Sequence, residues 1–244
     1  MPEIHATAVV ENGAKLAIDV KVGPFSYIYA GTEIGAGSVI EGWCEIGRPF
    51  GDLPPLVLGA NSRIRSHSVV YCGSVFGPNL TTGHHVTLRE GTKAGRNLQI
   101  GTYGDIQGDC VIGDFVTCHS NVHIGKHSHV GSFCWFFPFV VLTNDPHPPS
   151  TVMMGVTVKD FAVVATQTTV LPGVTIGKGA LVAAHSMVRQ DVDADRIAAG
   201  SPAKDLGPTE KILLKDGSGR KAYPWTTHYR EKYPAEVTKD WASV

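Results

Sequence analysis

Residues 16–46 read LAIDVKVGPFSYIYAGTEIGAGSVIEGWCEI. Within this stretch Leu16, Val22, Ile28, Ile34, Ile40 and Ile46 recur at intervals of six. The interval extends back through Val10 to Ile4. Beyond a proline-rich break it resumes in the same phase at Leu58 and runs through Ile64, Val70, Phe76, Leu88, Ile100, Ile106, Ile112, Ile124, Val130 and Phe136 to Leu142. Thr82, Ala94 and Cys118 are its weak members. A last run, Val158, Val164, Val170, Ile176, Val182 and Val188, is four residues out of phase. Four residues after the aliphatic sits a small or β-branched residue, as at Val20, Ser26, Thr32, Ser38, Cys44, Ser62, Ser68 and Ser74. Glycine often follows the aliphatic directly, as at Gly23, Gly35, Gly113, Gly125 and Gly177.

A period of six matches neither the 3.6 of an α-helix nor the 2 of an amphipathic strand. It matches short strands joined by tight turns, with one inward residue per hexad. Three such sides close a triangular coil of 18 residues. One coil cannot bury its inward face alone, so coils must stack. At about 4.8 Å per coil, roughly ten coils give a prism about 45 Å long. The small residue lies beside the aliphatic, where a larger side chain would clash, and glycine suits turns with positive φ. An ordinary β-sandwich does not produce three long hexad runs. The fold class is therefore all-β, a parallel β-helix.

The chain has 244 residues, of which 43% are hydrophobic, enough for a substantial core. The formal net charge of −1, with scattered lysines and arginines, argues against nucleic acid as the main partner. No signal peptide is legible at the N-terminus. The most apolar stretch, Phe133 to Leu142, is too short to span a bilayer and contains Pro138. Of five cysteines, Cys44, Cys110 and Cys134 fall on the small-residue position and Cys118 on the aliphatic position. They read as core filler, which sets the expectation of reduced thiols and a cytoplasmic protein.

The interruptions carry the functional information. Residues 48–57, Arg48-Pro49-Phe50-Gly51-Asp52-Leu53-Pro54-Pro55-Leu56-Val57, break the first run without changing its phase, so a loop bulges from one side of the stack. Residues 143–157 form a longer excursion, stiffened by Pro146, Pro148 and Pro149. After Ala194 the repeat stops. Residues 1–204 form the β-helix domain. Residues 205–244, with Tyr223, Trp225, Tyr229, Tyr233 and Trp241, are expected to cap the open end and to pack on a neighbouring subunit.

The hexads, the proline-rich loop and the ending Gly200-Ser201-Pro202-Ala203-Lys204 resemble the left-handed β-helix, hexapeptide-repeat acyltransferase superfamily over about residues 4–204. The resemblance implies the left hand of the coil, although parallel crossovers are normally right-handed. It also implies homotrimers with active sites between adjacent prisms, and acetyl-CoA as co-substrate in a groove along the last coils. Val170-Leu171-Pro172-Gly173-Val174-Thr175-Ile176-Gly177 is similar to sugar O-acetyltransferases. Val22-Gly23-Pro24-Phe25 and the loop at 48–57 resemble acyltransferases acting on UDP-N-acetylglucosamine. Residues 136–145, FFPFVVLTND, resemble N-acetyltransferases of nucleotide-linked amino sugars. One departure stands out. Where lipid A acyltransferases and some amino-sugar acetyltransferases place a catalytic His before an Asp, this chain has Gly108-Asp109.

Acyl transfer from a thioester needs a base for the nucleophile, a donor for the oxyanion, and alignment of the two substrates. His147 is the first candidate base. Thr143-Asn144-Asp145-Pro146-His147-Pro148 resembles the Thr-x-His-Pro element of galactoside and maltose acetyltransferases, with a longer Thr-to-His spacing. Asn144 and Asp145 either orient the acceptor or the imidazole, or form an Asx turn before Pro146. A second cluster, His84, His85, Arg89, Glu90 and His123, is assigned to sugar and phosphate, with Arg89 as the phosphate partner; the same histidines also suit a subunit interface. His67 and His85, 18 apart, should stack on successive coils. For coenzyme A, Ala165 and Ala183 leave room for the pantetheine arm, and Arg196, Gly200 and Lys204 line its turn.

The expected function is acetyl-CoA-dependent acetylation of an amino group on a nucleotide-linked sugar, for surface polysaccharide synthesis, with no metal. Sugar O-acetylation is the nearest alternative. A zinc enzyme like the γ-class carbonic anhydrases, which share the fold, is disfavoured, because their paired histidines five apart are missing here. A non-catalytic scaffold subunit is the remaining alternative.

Overall fold

The computed structural model describes residues 1–239 and Trp241. The chain winds as a left-handed parallel β-helix. Each coil places one short strand on each of three faces. In the second coil these are Lys21–Val22 on the first face, Tyr27–Ile28 on the second and Glu33–Ile34 on the third. Among the described residues the three faces are sheets of 12, 10 and 9 strands. Strands 18 residues apart pair in register, as Val69 with Thr87, Thr87 with Asp105, and Asp105 with His123.

The aliphatic positions from Val22 onward line one continuous core. The weak members are compensated by their neighbours: Thr82, Ala94 and Cys118 are followed four residues later by the buried Val86, Leu98 and Val122. The volume lost in one inward slot is regained in the next, which keeps the interior close-packed. Hydroxyls explain the small-residue slot further. Ser62, Ser128 and Ser186 each donate to a turn carbonyl, of Gly59, Gly125 and Ala183, at 2.7 Å. Burial pushes the Cys44 and Cys110 thiols up to about 11 and the Cys118 thiol up to about 12.

The glycines after the aliphatics have a different cause from the one expected. None of Gly23, Gly35, Gly113, Gly125 and Gly177 has positive φ. A Cβ on Gly35 would lie 2.4 Å from the Ala60 amide nitrogen, so it is the next coil's backbone that excludes a side chain. The left-handed turn positions between the first and second faces are instead held by Phe25, Trp43, His67, His85 and Tyr103, whose rings form a ladder.

The C-terminal segment does two jobs. Ala203–Pro208 turns back as an antiparallel strand on Arg196–Gly200 and closes the end of the first face. The division at 204/205 therefore falls inside a hairpin. Beyond this cap, the aromatic part of the segment, from Tyr223 to Trp241, packs along the side of the prism. Trp225 and Trp241 are buried against Phe133, Trp135, Phe161 and Val163. The Trp225 indole donates to the Phe161 carbonyl at 3.1 Å, and that of Trp135 to the Tyr233 hydroxyl at 3.2 Å. The ring column Phe115, Phe133 and Phe161 gives the segment this lateral seat. The end of the expected cap, residues 240 and 242–244, lies outside the described residues.

Replacing Trp225 with Ala should cost this contact about 3–5 kcal/mol and release the segment. Limited proteolysis should then cut within 209–239 while residues 1–200 stay intact. Unchanged protection would show that the segment is held elsewhere.

Candidate active site

Both interruptions leave the coil at the same edge, between the second and third faces. In the first, Pro55 and Leu53 fill the space beyond the left-handed Gly31 and Gly73. In the second, Gly155 lies against the His127 backbone and Met154 against Gly173. Gly73 and His127 are three coils apart, so the covered segments are separated by about 14 Å. Exposed apolar side chains form the lips, Phe50 and Leu53 on one side and Val152, Met153 and Met154 on the other. The floor between them is polar.

That floor is built in rows, because residues 18 apart repeat the same slot. Asp105 and His123 are paired neighbours on the second face. The His123 Nδ1 lies 3.0 Å from the Asp105 Oδ2, and the Gln107 amide donates to the same oxygen at 2.6 Å. In the neutral ring, an accepting Asp105 puts the proton on Nδ1 and leaves Nε2 its lone pair. Burial alone would raise the Asp105 pKa. The hydrogen bonds from His123 and Gln107, with the charge of the His123 ring when it is protonated and that of Arg89, outweigh it and hold the carboxyl below its usual range.

Arg89 and Glu90 occupy the adjoining slots one coil earlier. Glu90 is only 2% exposed. The Arg89 guanidinium donates to both its carboxylate oxygens, at 2.8 and 3.1 Å. The same guanidinium sits 5.4 Å from the ring centres of Phe50 and Tyr71. Arg89 is thereby committed to a buried carboxylate and two rings, which leaves its guanidinium less free for the phosphate expected of it. Lys126, two coils beyond Glu90, reaches 3.0 Å from the Asp109 Oδ2 and 3.6 Å from Glu90 Oε1. Between them Gly108 is at φ +95°, and a Cβ there would meet the Glu90 carbonyl at 2.6 Å. The absence of a histidine at this position is therefore built into the backbone.

The remaining candidates divide among different places. His84 and His85 lie at the opposite edge of the second face, because the strand Thr87–Leu88 carries the chain across that face before Arg89. The His84 Nδ1 lies 2.8 Å from the Ser66 hydroxyl, and His85 is stacked between His67 and Tyr103 at 4.6 and 5.2 Å. Neither joins Arg89, Glu90 and His123. Asn144 stands at the root of the excursion, beside Gly125. Asp145 serves the excursion itself: its Oδ1 accepts from the Ser150 hydroxyl at 2.6 Å and the His147 amide at 3.0 Å, and its Oδ2 from the Ser150 amide at 3.0 Å. The Ser150 hydroxyl foremost holds its carboxyl below the usual range. His147 is exposed near the tip.

Ala165 and Ala183 stack one coil apart where the first face turns into the second. The Arg196 guanidinium is paired with the Asp205 carboxylate. With Lys204 they line a cavity of about 270 Å³ at the end of the stack, together with Asp191 and Asp193. Gly200, at φ +105°, starts the hairpin turn. Within one chain, these groups and the cleft occupy different edges. Asp105, Gln107, Asp109 and Lys126 escaped the sequence reading. The signal was the coil length: 105 and 123 differ by one coil, 90 and 126 by two. Among the described residues no group of three or more His, Cys, Asp or Glu side chains is placed to hold a metal ion, and no helix is long and apolar enough to cross a membrane.

Residues 13–48 match the bacterial transferase hexapeptide (six repeats) family. The acyl-[acyl-carrier-protein]–UDP-N-acetylglucosamine O-acyltransferase of Saccharophagus degradans is 39% identical over 142 residues, 55% of this chain and 50% of its own length. The enzyme of the same name from Bartonella henselae is 35% identical over 128 residues, 47% of each chain. This chain thus spans about half the length of these relatives. Among solved structures, an Arabidopsis UDP-N-acetylglucosamine acyltransferase superposes with a TM-score of 0.71 at 23% identity, covering 84% of this chain and 74% of the other. That of Campylobacter jejuni gives 0.58 at 22% identity, covering 97% and 81%. Repeat, coil and relatives together define the class: a left-handed β-helix of hexapeptide repeats, similar over about half their length to acyltransferases named for UDP-N-acetylglucosamine.

The lowered Asp105 carboxyl has a pH consequence. A depressed folded-state pKa contributes stability above the unfolded value and loses it as pH falls through the folded one. Between about pH 5 and pH 2, wild type should therefore lose more stability than Asp105→Asn in denaturant titrations. Parallel acid limbs would show that the His123–Asp105 contact contributes nothing.

Proposed function

We propose that this protein transfers an acyl group from a thioester to the amino group of a nucleotide-linked sugar, in the cleft between the two loops. The observation that carries the proposal is the His123–Asp105 pair on the cleft floor, with Nδ1 anchored and Nε2 left for a substrate. The amine attacks the thioester carbonyl and forms a tetrahedral intermediate. His123 Nε2 takes the proton from the attacking nitrogen. Collapse expels the thiolate, which receives that proton, and leaves the amide. The apolar lips keep water from the thioester.

The nucleotide sugar is supported by the relatives, whose names give UDP-N-acetylglucosamine as acceptor. Acetyl-CoA as donor rests on the Gly200-Ser201-Pro202-Ala203-Lys204 turn. A homotrimer fits the geometry: the residues assigned to coenzyme A lie on another edge of the prism, so a donor arm from one chain meets the acceptor cleft of the next. Surface polysaccharide synthesis in the cytoplasm is the setting this chemistry suits. A second reading, O-acylation from an acyl carrier protein, is favoured by the relatives' names alone.

Thiol release should be assayed with acetyl-CoA and with acyl carrier protein thioesters, against UDP-N-acetylglucosamine and UDP-linked amino sugars. Turnover is expected with acetyl-CoA and an amino sugar. His123→Gln should lower kcat by about 10²-fold or more, as for loss of a general base. His147→Ala provides the contrast: if it abolishes turnover while His123→Gln does not, the base is on the excursion and the assignment made here fails.

A further inference from the structure

Lys126 lies on the cleft floor with no part in the proton transfer above. Glu90, Gly108 and Lys126 share one slot on three successive coils. Because the middle slot is bare, the Lys126 side chain leans back across Gly108. Its ammonium hydrogen-bonds Asp109 at 3.0 Å, while the 3.6 Å to Glu90 is beyond a hydrogen bond. The Glu90 charge is already met twice by Arg89. Among the described residues the ammonium has no other acceptor within hydrogen-bond distance, which leaves two of its three donors. The Asp109 hydrogen bond foremost raises the Lys126 pKa against the opposing effect of burial, so the group stays charged. Asp109 is 43% exposed and can turn away when a stronger anion arrives.

We propose that Lys126 is the anion-holding group of this cleft, and that its two free donors take the oxygens of a diphosphate. A compact ammonium with diverging donors suits neighbouring phosphoryl oxygens. The inference rests on the acyl-transfer reading only for which substrate brings the diphosphate: the nucleotide sugar or the coenzyme.

Calorimetric titration of the full chain with UDP, inorganic pyrophosphate and coenzyme A tests it without turnover. Lys126→Gln should weaken binding of pyrophosphate by about tenfold or more, with Lys126→Arg retaining most of it. Asp109→Asn, which frees the ammonium, should tighten pyrophosphate binding severalfold, an effect in the opposite direction that a merely structural lysine would not give. A matching loss for UDP assigns the group to the nucleotide sugar; a loss for coenzyme A assigns it to the donor. Equal affinities for wild type and Lys126→Gln with all three probes would overturn the inference, as would an Asp109→Asn affinity no higher than wild type. Binding through Lys126 with no thiol release from any donor would sink the acyl-transfer reading alone. Acyl transfer with unchanged Lys126→Gln affinity would sink this inference alone.

Discussion

Everything in this molecule depends on the hydrogen bonds between one coil and the next. The Asp105 amide donates to the Val122 carbonyl at 2.9 Å, the His123 amide to the Val140 carbonyl at 2.9 Å, and the pattern repeats along each face. Such a ladder permits no slip, since a one-residue shift would turn the aliphatic column outward. Residues 18 apart are thus held about 4.8 Å apart. A pair such as Asp105 and His123, remote enough in sequence to look unrelated, becomes a rigid contact between neighbouring strands. The site needs no flexible loop to assemble its polar groups.

The loops add shape to that lattice, and charge ties the first of them down. A buried carboxylate is costly unless it is paired and hydrogen-bonded. Glu90 meets this condition through Arg89, whose guanidinium is itself packed against Phe50 and Tyr71. Phe50 belongs to the loop, Tyr71 and Arg89 to the coil. The ion pair therefore fixes the position of the loop relative to the floor. The excursion is organised from within, by Asp145 holding Ser150 and the His147 amide and by the Asn144 carbonyl accepting from the Met154 amide at 2.8 Å.

The fold was legible because a hexad is a short-range signal repeated many times. Ile28, Ile34 and Ile40 announce the core without reference to distant residues. Loop positions were legible for the same reason, as breaks in that rhythm. The polar site was less so. Arg89, Glu90 and His123 could be picked out by residue type, but their partners are one or two coils away, and type gives no sign that Arg89 is committed to Glu90. His84 and His85 looked like neighbours of Arg89, yet one strand separates two edges of the prism. Lys126 reads as an ordinary surface lysine until Gly108 is seen to leave its slot bare. The C-terminal cap was legible as the end of the repeat, but the seat of its aromatics was not, because the column Phe115, Phe133 and Phe161 that receives Trp225, Tyr233 and Trp241 forms only when three coils stack.

The most direct measurement is an experimentally determined structure of the protein with a UDP-linked amino sugar bound. The sugar nitrogen should lie about 3 Å from the His123 Nε2, between the Phe50 and Met153 lips. A sugar seated at the His67–His85–Tyr103 edge, with His123 and the cleft floor untouched, would contradict the account.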